Sequence, residues 1–482
     1  MKLSKIIEKE VNEDQQITSI VYDSRKAKKG TLFVALKGFL NDGHKYVNDA
    51  YNQGCRAFLV SDDVALSDDA VVIKTENTRS ELSRISANFF SHPSRSMKVI
   101  GVTGTKGKTT FCKMMYDILK NASYKVGLIG SLGVFYNDCF ERTVNTTPES
   151  YEIQRVLSDM KKSGIEYVVI EVSSLGLKRN RVDDVDFEYG VFTNLGREHI
   201  GGTDHPDFED YLKSKAKLFL KSKNAVIYMD DKYADVVTKG CQGKKLYYGE
   251  KDGADLVLDS CDNFVSKEFF GSKFTVFDNE KSETFELSML GKFNALNATG
   301  AVLLSRTLGV SDDILKSTLK NISVSGRCEL LYSKNDIRII MDFAHEGMSM
   351  ENLLKTLRTI TKGKLTAVYG SVGDHAYNRR SQLGTAAGKY SDLSVITTDD
   401  PGFESPSKIA EEIAQSVNKV GGKYIIEIDR EKAIDKAVSM LEPGDVLALC
   451  AKCDEPYMKI LGENIPYSER ESLNKALEKY NM

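Results

Sequence analysis

The chain has 482 residues, which predicts about three domains because one domain usually contains roughly 100–200 residues. Its composition, with 41% hydrophobic and 28% charged residues, is that of a globular protein and excludes a chain that is disordered throughout. The 66 basic and 69 acidic residues give a net charge of −3, which excludes a general electrostatic attraction to nucleic acid or to an anionic membrane.

Apolar runs that alternate with turns and helical segments predict three successive α/β domains, at residues 1–95, 96–327 and 328–482. In the first domain the predicted strands are 32–36, 57–60 and 70–73. In the second domain the predicted elements are strands at 97–102, 167–172, 191–195 and 225–229, helices at 108–121 and 293–309, and a β-rich stretch at 245–290. In the third domain the predicted strands are 338–341, 365–369, 393–397, 424–428 and 446–449. Because strands alternate with helices, we expect parallel, doubly wound sheets.

The cysteines and the apolar runs bear on the compartment. Eight cysteines are scattered along the chain, which indicates a reducing environment rather than a disulfide framework. No apolar run approaches the roughly 18 residues that a membrane-spanning helix needs. We therefore expect a soluble cytoplasmic protein that has neither a nucleic-acid nor a membrane partner.

A glycine-rich loop between the predicted strand 97–102 and the predicted helix 108–121 is the strongest local signal. The backbone N–H groups of such a loop and the helix N-terminus bind phosphate oxygens. Lys108 is expected to reach the β- and γ-phosphates and the Thr109 hydroxyl to ligate Mg²⁺, although Val102 stands where the usual first glycine would be. The predicted ATP-binding residues of this loop are Gly104, Thr105, Lys106, Gly107, Lys108, Thr109 and Thr110. The loop alone leaves open a hydrolysing machine, a phosphotransferase and an ATP-driven ligase.

Further motifs follow in a fixed order. They are Asn-Thr-Thr-Pro-Glu at 145–149, Glu-Val-Ser-Ser at 171–174, Thr-Asn-Leu at 193–195, Gly-Lys-Phe-Asn-Ala-Leu-Asn at 291–297, Gly-Arg-Cys-Glu at 326–329 and Asp-Phe-Ala-His at 342–345. Together with the glycine-rich loop, this series resembles the Mur ligases over essentially the whole chain. The segments 22–25 and 30–38 are similar to the UDP-binding domain of the MurE type.

The resemblance implies a fold and a reaction. The fold would comprise an N-terminal UDP-binding α/β domain, a central P-loop ATPase-like domain with a parallel sheet and a β-rich extension, and a C-terminal Rossmann-like domain that binds an amino acid. MurE-type enzymes use ATP, with Mg²⁺, to join a diamino acid to UDP-N-acetylmuramoyl-L-alanyl-D-glutamate in peptidoglycan precursor synthesis, through an acyl phosphate. The segments 198–201, 205–211 and 399–404 are most similar to the enzymes that add L-lysine.

The resemblance also implies catalytic and metal-binding residues. These are Lys108, Glu171, His199 and Lys215, with Thr109, Glu171, His199 and Lys215 at the metal site and Lys215 carbamylated to N6-carboxylysine. Two simpler interpretations stay open. Glu171 could be a strand-end acid that caps a helix. Lys215 could lie on a solvated helix face with Lys213 and Lys217.

Nucleotide and peptide contacts follow from the same resemblance. Asn294 and Asn297 would read the adenine edge, Arg327 would reach phosphate and Asp342 would accept from the ribose hydroxyls. A helix cap is the alternative role for Asn294. The implied UDP-peptide residues are Ser24, Asn41, Thr146, Thr147, Ser173, Arg179 and Arg181.

The incoming amino acid would bind in the third domain. Enzymes that add meso-diaminopimelate carry an arginine where this chain has Gly402, and an acidic pocket that includes Glu404 suits the ε-ammonium of lysine. Arg380 matches the arginine that holds the α-carboxylate. The implied amino-acid-binding residues are Arg380, Asp399, Asp400, Pro401, Gly402, Glu404 and Glu455. The family's Gly-Lys-Gly is replaced here by Ala-Lys-Cys at 451–453.

Several alternatives stay open at this point. The added amino acid could be meso-diaminopimelate or ornithine instead of lysine. The chain could be a divergent Mur-ligase paralogue that binds the UDP-peptide without full activity, as the altered loop 451–453 would suit. A folylpolyglutamate synthase is the third alternative, and the uridine-type segment 17–95 argues against it.

Overall fold

The structure is a computed structural model that describes residues 1–38, 41–198, 200–201, 204–266, 269–278, 280–374 and 377–482. It divides into two compact units. The first contains Met1–Val257 and Thr299–Ile314, and the second contains Leu258–Ala298 and Leu315–Met482. Each unit has its own buried apolar clusters. Among the described residues, no helix is long and apolar enough to cross a membrane.

The first unit begins with a four-stranded parallel sheet. Its strands, in spatial order, are β1 (Ser19–Val21), β2 (Thr31–Val34), β3 (Ala57–Val60) and β4 (Val71–Lys74). The accompanying helices are α1 (Leu3–Ile7), α2 (Val47–Asn52) and α3 (Thr78–Phe89). Strands β2 and β3 are buried throughout, as expected for a sheet covered on both faces. The Asn77 side chain caps α3 by accepting from the backbone N–H groups of Arg79 and Ser80.

A larger sheet follows in the first unit. Its parallel strands are β5 (Lys98–Thr103), β6 (Val126–Gly130), β9 (Tyr167–Glu171), β10 (Phe187–Phe192), β11 (Ser222–Tyr228) and β12 (Lys245–Gly249), with β7 (Gly133–Tyr136) and β8 (Cys139–Glu141) antiparallel at one edge. Its helices are α4 (Lys108–Asn121), α5 (Ser150–Lys162), α6 (Ser174–Lys178), α7 (Phe208–Leu220) and α8 (Ala234–Thr238). Strand β5 lies between β9 and β10, and Val102 pairs with Glu171. The loops after β5 and β9 therefore leave the same edge of the sheet.

The second unit contains a six-stranded sheet in the order β16-β17-β21-β18-β19-β20, parallel except for β16. Its strands are β16 (Glu329–Lys334), β17 (Ile337–Asp342), β18 (Leu365–Tyr369), β19 (Leu393–Ile396), β20 (Tyr424–Ile426) and β21 (Val446–Cys450). The helices around it are α11 (Gly347–Arg358), α12 (Asn378–Tyr390), α13 (Pro406–Lys419), α14 (Arg430–Ser439) and α15 (Glu469–Lys479). The remaining elements are β13 (Leu256–Val265), β14 (Phe270–Phe277), β15 (Ser282–Leu287), the hairpin β22 (Tyr457–Ile460) and β23 (Glu463–Pro466), and α9 (Lys292–Thr307) and α10 (Asp312–Lys320), which both units share.

Most predicted elements agree with these bounds, and one does not. The helix predicted at 108–121 coincides with α4, and the β-rich stretch 245–290 contains β12 to β15. The strand predicted at 191–195 is wrong at both ends, because β10 begins at Phe187 and stops at Phe192. Thr193 and Asn194 leave the sheet because their side chains bond to Lys106 in the glycine-rich loop. The domain boundaries at 95 and 327 stay predictions.

Candidate functional site

The glycine-rich loop, residues 104–110 and here called the phosphate loop, connects β5 to α4 in the first unit. A Cβ on Gly104 would lie 1.9 Å from the Thr193 hydroxyl oxygen, so no side chain fits there. Gly107 precedes α4 with a φ of 86°, in the left-handed region that favours glycine. The glycines therefore let the backbone fold tightly in front of the helix N-terminus.

Contacts with neighbouring segments hold this loop in place. The Thr105 backbone N–H donates to the carbonyl of Asn194 at 2.9 Å, and the Lys106 N–H donates to the Asn194 side chain at 2.9 Å. The Thr105 hydroxyl shares a hydrogen bond with the Tyr211 hydroxyl at 2.9 Å. Lys106 forms an ion pair with Glu198 at 2.9 Å. The loop is thus preorganised by side chains that lie far away in sequence.

Two lysine amines meet at one carbonyl of the loop. The Lys108 ammonium donates to the Gly104 carbonyl at 2.9 Å, and the Lys215 Nζ donates to the same oxygen at 2.8 Å. Burial, and then the neighbouring Lys108, hold the pKa of Lys215 well below its usual value. Lys213, by contrast, is exposed and pairs with Glu209. The solvated-face interpretation therefore fits Lys213 and is wrong for Lys215.

Oxygen ligands for a hard cation lie beside these amines. The Thr109 hydroxyl donates to one carboxylate oxygen of Glu171 at 2.9 Å, and the Ser131 N–H donates to the other at 2.8 Å. The residue that caps α6 is Ser173, so the capping interpretation of Glu171 is wrong. A hydroxyl and a buried carboxylate are the donors that Mg²⁺ prefers, so Thr109 and Glu171 fit a magnesium ion. His199 lies outside the described residues.

The predicted UDP-peptide residues 146, 147 and 173 form a hydrogen-bonded group next to Glu171. The Thr147 hydroxyl donates to the Glu171 carbonyl at 2.8 Å and accepts from the Ser173 N–H at 2.9 Å. The Thr146 hydroxyl accepts from the Ser131 hydroxyl at 3.0 Å. These hydroxyls therefore lie around the same strand end as the candidate magnesium ligands.

A cluster of guanidinium groups adjoins this group. Arg181 is buried and donates to the Thr147 carbonyl at 2.8 Å and to Glu149 at 2.7 Å. Arg79 contacts the same Glu149 carboxylate at 3.1 Å. Burial lowers the pKa of Arg179, and the charges of Arg181 and Arg79 lower it further. We call Arg79, Arg179 and Arg181 the guanidinium cluster.

The other two predicted UDP-peptide residues lie in the N-terminal part of the first unit. Ser24 begins a short 3₁₀ helix that Asp23 caps, two residues after Tyr22. The Tyr22 hydroxyl donates to Glu152 on α5 at 2.8 Å. Asn41 is exposed, and its carbonyl accepts from the Gly38 N–H.

Some of the side chains predicted to contact the nucleotide, which lie in the second unit, already form hydrogen bonds within the protein. The buried Asn294 amide donates to the Leu290 carbonyl at 2.8 Å, and Asn297 is buried one turn further along α9. Asp342 ends β17 and accepts from the Cys328 N–H at 2.7 Å. Arg327 lies over the Phe343 ring.

An acidic cluster formed by Asp399, Asp400 and Glu455 surrounds the fully buried Lys452 in the second unit. The Lys452 ammonium lies 2.6 Å from Asp400, 2.8 Å from Glu455 and 3.8 Å from Asp399. Burial raises the pKa of Asp399 to about 6, against the lowering effect of Lys452 and Arg430. Burial alone would lower the pKa of Lys452, but the three carboxylates hold it above its usual value.

The three acids line a cavity of about 130 Å³, and Arg379 lines it too. Arg380 is buried and forms ion pairs with Glu404 and Glu412, both at 2.8 Å. Glu404 does not line this cavity. The guanidinium that faces the acidic cluster is therefore that of Arg379, one residue from the predicted Arg380.

The loop 451–453 keeps a glycine-like backbone without glycine. Ala451 has a φ of 76° and Cys453 a φ of 50°. Side chains in this region cost of order 1 kcal/mol each. Next to the cavity, Pro401 precedes Gly402, which has a φ of 58°. A Cβ there would lie 1.9 Å from the Asp374 carboxylate, so this position requires glycine.

Three models of one family match the chain: the Mur ligase family catalytic domain at residues 16–96, the Mur ligase middle domain at 102–305 and the Mur ligase glutamate ligase domain at 326–453. A Clostridium perfringens protein named UDP-N-acetylmuramoyl-L-alanyl-D-glutamate–2,6-diaminopimelate ligase is 35% identical over 97% of this chain and 96% of its own length. An Aquifex aeolicus protein of the same name is 36% identical over 96% and 94%. The chain belongs to the Mur ligase family.

Solved structures confirm the fold of this Mur ligase. A structure of a ligase with the same name has a TM-score of 0.70 at 24% identity and covers 100% of this chain and 99% of its own. MurF from Thermotoga maritima, in complex with ADP, has a TM-score of 0.66 at 21% identity, with 96% and 97% covered. The predicted α/β fold with parallel sheets and three Mur ligase domains is thus confirmed. So is the prediction of an ATP-dependent ligase with ATP and Mg²⁺ as cofactors.

Reasoning from the sequence of this Mur ligase missed three residues. Arg79 and Glu149 join the guanidinium cluster, and Lys452 lies inside the acidic cluster. Glu149 and Lys452 lie within the motifs 145–149 and 451–453, so these motifs could have identified them as candidate site residues. Arg79 carried no signal, because only the packing of α3 brings it to Glu149.

Proposed function

We propose that this Mur ligase joins a diamino acid to the D-glutamate carboxylate of UDP-N-acetylmuramoyl-L-alanyl-D-glutamate, with cleavage of ATP to ADP and phosphate. The observation that carries the proposal is the grouping of Lys108, Thr109, Glu171 and Lys215 at one edge of the central sheet. The names of relatives that match the whole chain support the substrate.

The chemistry starts from an unreactive pair, since a carboxylate and an amine do not condense in water. ATP phosphorylates the carboxylate, and the amine then attacks the acyl phosphate, forming the amide bond and releasing phosphate and a proton. In this proposal the phosphate loop binds the nucleotide, and the Lys108 ammonium contacts the β- and γ-phosphates. Mg²⁺, held by Thr109 and Glu171, would reduce the repulsion between the phosphate and the carboxylate.

Lys215 contributes through a modification in this proposal. Burial lowers the pKa of Lys215, which favours the uncharged amine, the form that attacks CO₂. One N–C bond forms and one proton leaves, so the buried amine becomes a carbamate anion that would add an oxygen ligand for Mg²⁺. The proposed metal ligands are then Thr109, Glu171, His199 and carbamylated Lys215.

The amino acid is assigned to the cavity in the second unit. We place the carboxylate of the amino acid at Arg379 and its ammonium at the acidic cluster, where three carboxylates surround Lys452. Gly402 offers no side chain to a second carboxylate, which favours L-lysine. The names of the relatives favour 2,6-diaminopimelate as the second candidate.

An ADP-release assay with UDP-N-acetylmuramoyl-L-alanyl-D-glutamate and L-lysine, ornithine or meso-diaminopimelate tests the proposal. We expect ADP release that depends on both the UDP-dipeptide and lysine, and a product whose mass has grown by one lysine residue. If ADP is released with diaminopimelate but not with lysine, the proposed reaction stands and the added amino acid is diaminopimelate instead of lysine. Absence of release with every amino acid would favour the paralogue that binds without catalysis.

The three domains take separate tasks in this account. Residues 1–95 contribute to UDP binding, residues 96–327 bind ATP, and residues 328–482 bind the amino acid. We propose a cytoplasmic monomer that acts on these small molecules.

A further inference from the structure

Arg181 is the best-anchored member of the guanidinium cluster. Its side chain is 5% exposed, and its two terminal nitrogens donate to Thr147 and Glu149. Among the described residues, its Nε atom is buried and has no hydrogen-bond partner. A buried guanidinium with an unsatisfied donor is costly unless a ligand completes it.

Arg79 reaches this cluster from the first turn of α3. One terminal nitrogen of Arg79 lies 3.1 Å and 3.2 Å from the two carboxylate oxygens of Glu149. The Asn77 cap fixes the backbone of that first turn. Glu149 thus holds Arg79 and Arg181 together with one carboxylate.

The cluster carries more positive than negative charge. Arg79 and Arg181 share the Glu149 carboxylate, and Glu149 and Asp204 act on the third guanidinium, that of Arg179, only through their charge. The Arg179 backbone N–H donates to Leu175, but its guanidinium has no hydrogen bond or ion pair among the described residues. A half-buried cation repelled by two others is stabilised by an anion that enters between them.

We propose that Arg79 binds the acidic end of the peptide substrate, the two carboxylates of the D-glutamyl residue, together with Arg179 and Arg181. Glu149 is a positioning residue that sets the distance between Arg79 and Arg181. This inference rests on the proposed function, because it names the part of the UDP-peptide that the cluster recognises. Guanidinium pairs suit carboxylates, since their donors match both oxygens.

The test compares two ligands on the full chain. In Arg79→Gln, we expect the dissociation constant of UDP-N-acetylmuramoyl-L-alanyl-D-glutamate to rise about tenfold, as measured by calorimetry. The dissociation constant of UDP, which has no D-glutamyl group, stays the same. Arg79→Lys keeps the charge and recovers part of the affinity. The matched control is Arg84→Gln on the same helix, whose partners are Glu81 and Glu8 and which leaves both constants unchanged.

Other results would overturn the inference. If Arg79→Gln weakens the binding of UDP and of the UDP-dipeptide equally, the role of Arg79 is purely structural. The same conclusion follows if the variant loses much thermal stability while the ratio of the two dissociation constants is unchanged. Unchanged affinity for the UDP-dipeptide would exclude Arg79 from the site. If the unmodified chain binds no UDP-dipeptide, the proposed function fails instead, so the two failures are distinguishable.

Glu149→Gln provides a second variant that keeps the shape of the side chain and removes its charge. We expect KM for the UDP-dipeptide to rise several-fold, while kcat and KM for ATP stay within about twofold. A positioning role predicts this split. A several-fold fall of kcat at saturating UDP-dipeptide, together with a raised KM for ATP, would contradict a positioning role.

Discussion

At the phosphate loop, the carbonyl of Gly104 accepts from both Lys108 and Lys215. Two ammonium ions at this spacing repel each other, and the buried Lys215 is the one whose pKa is held low. The Lys215 Nζ lies 4.6 Å from the centre of the Tyr211 ring, one helical turn earlier on α7. Burial therefore gives this lysine a different chemistry from its exposed neighbours.

Removal of the Lys215 amine tests that difference. We expect Lys215→Ala to lower kcat at least about 100-fold, because a group that places a metal ion acts in the transition state. Lys213→Ala, on the exposed face of the same helix, is the control and leaves kcat unchanged. Steady-state ADP release measures both variants. Near-normal turnover in Lys215→Ala would remove this residue from the catalytic group.

Asp399 is predicted to give the proposed amino-acid site a pH dependence. Its pKa is raised to about 6, so the carboxyl gains a proton and loses its charge as the pH falls through that value. A cationic amine is then held less strongly, and KM for the diamino acid rises several-fold between about pH 7 and about pH 5. Initial rates over this range measure it. Asp399→Asn should have a high KM without this pH dependence, and an unchanged profile in that variant would contradict the assignment.

At the scale of elements, the hairpin β22–β23 supports the loop at Gly402. The Gly402 N–H donates to the Lys459 carbonyl, and the Leu461 N–H donates to the Gly402 carbonyl. The Lys459 N–H also donates to Asp400 at 3.0 Å. The hairpin therefore fixes one wall of the acidic cluster through its backbone.

The glycine in that loop is predicted to be indispensable. Gly402→Ala places a Cβ against the Asp374 carboxylate, so we expect a loss of about 1–3 kcal/mol in the free energy of unfolding and a higher KM for the diamino acid. Gly421→Ala is the matched control, because Gly421 has a φ of 77° and no atom within 4 Å of the added Cβ. Denaturant titration compares the two. Equal destabilisation would attribute the effect to backbone strain alone.

The sequence predicts elements better than it predicts contacts between them. Helix α4 can be predicted from the spacing of its apolar residues and from the glycine before it, because both are features of the local sequence. The end of β10 cannot be predicted in this way, because it depends on hydrogen bonds of the Thr193 and Asn194 side chains to Lys106 in another loop. Lys452 illustrates the same limit at the site. Its neighbours Asp399 and Asp400 lie about fifty positions away, and only packing brings them together.

At the scale of the whole molecule, a net charge of −3 conceals local charge of both signs. The guanidinium cluster is basic, the cluster at Asp399 is acidic, and the phosphate loop relies on backbone N–H groups and a few lysines. Phosphate and carboxylate ligands are thus accommodated by local groups rather than by a basic surface. This distribution is consistent with the proposed ligase, whose substrates carry charges of both signs.

Transfer of oxygen from the peptide to phosphate tests the central claim most directly. The D-glutamate side-chain carboxylate of UDP-N-acetylmuramoyl-L-alanyl-D-glutamate is labelled with ¹⁸O, and the phosphate released in the presence of ATP and L-lysine is analysed by mass spectrometry. If ATP activates that carboxylate, each phosphate carries one ¹⁸O, and Lys108→Ala forms none. Release of phosphate without ¹⁸O would mean that water attacks ATP, and it would contradict the account.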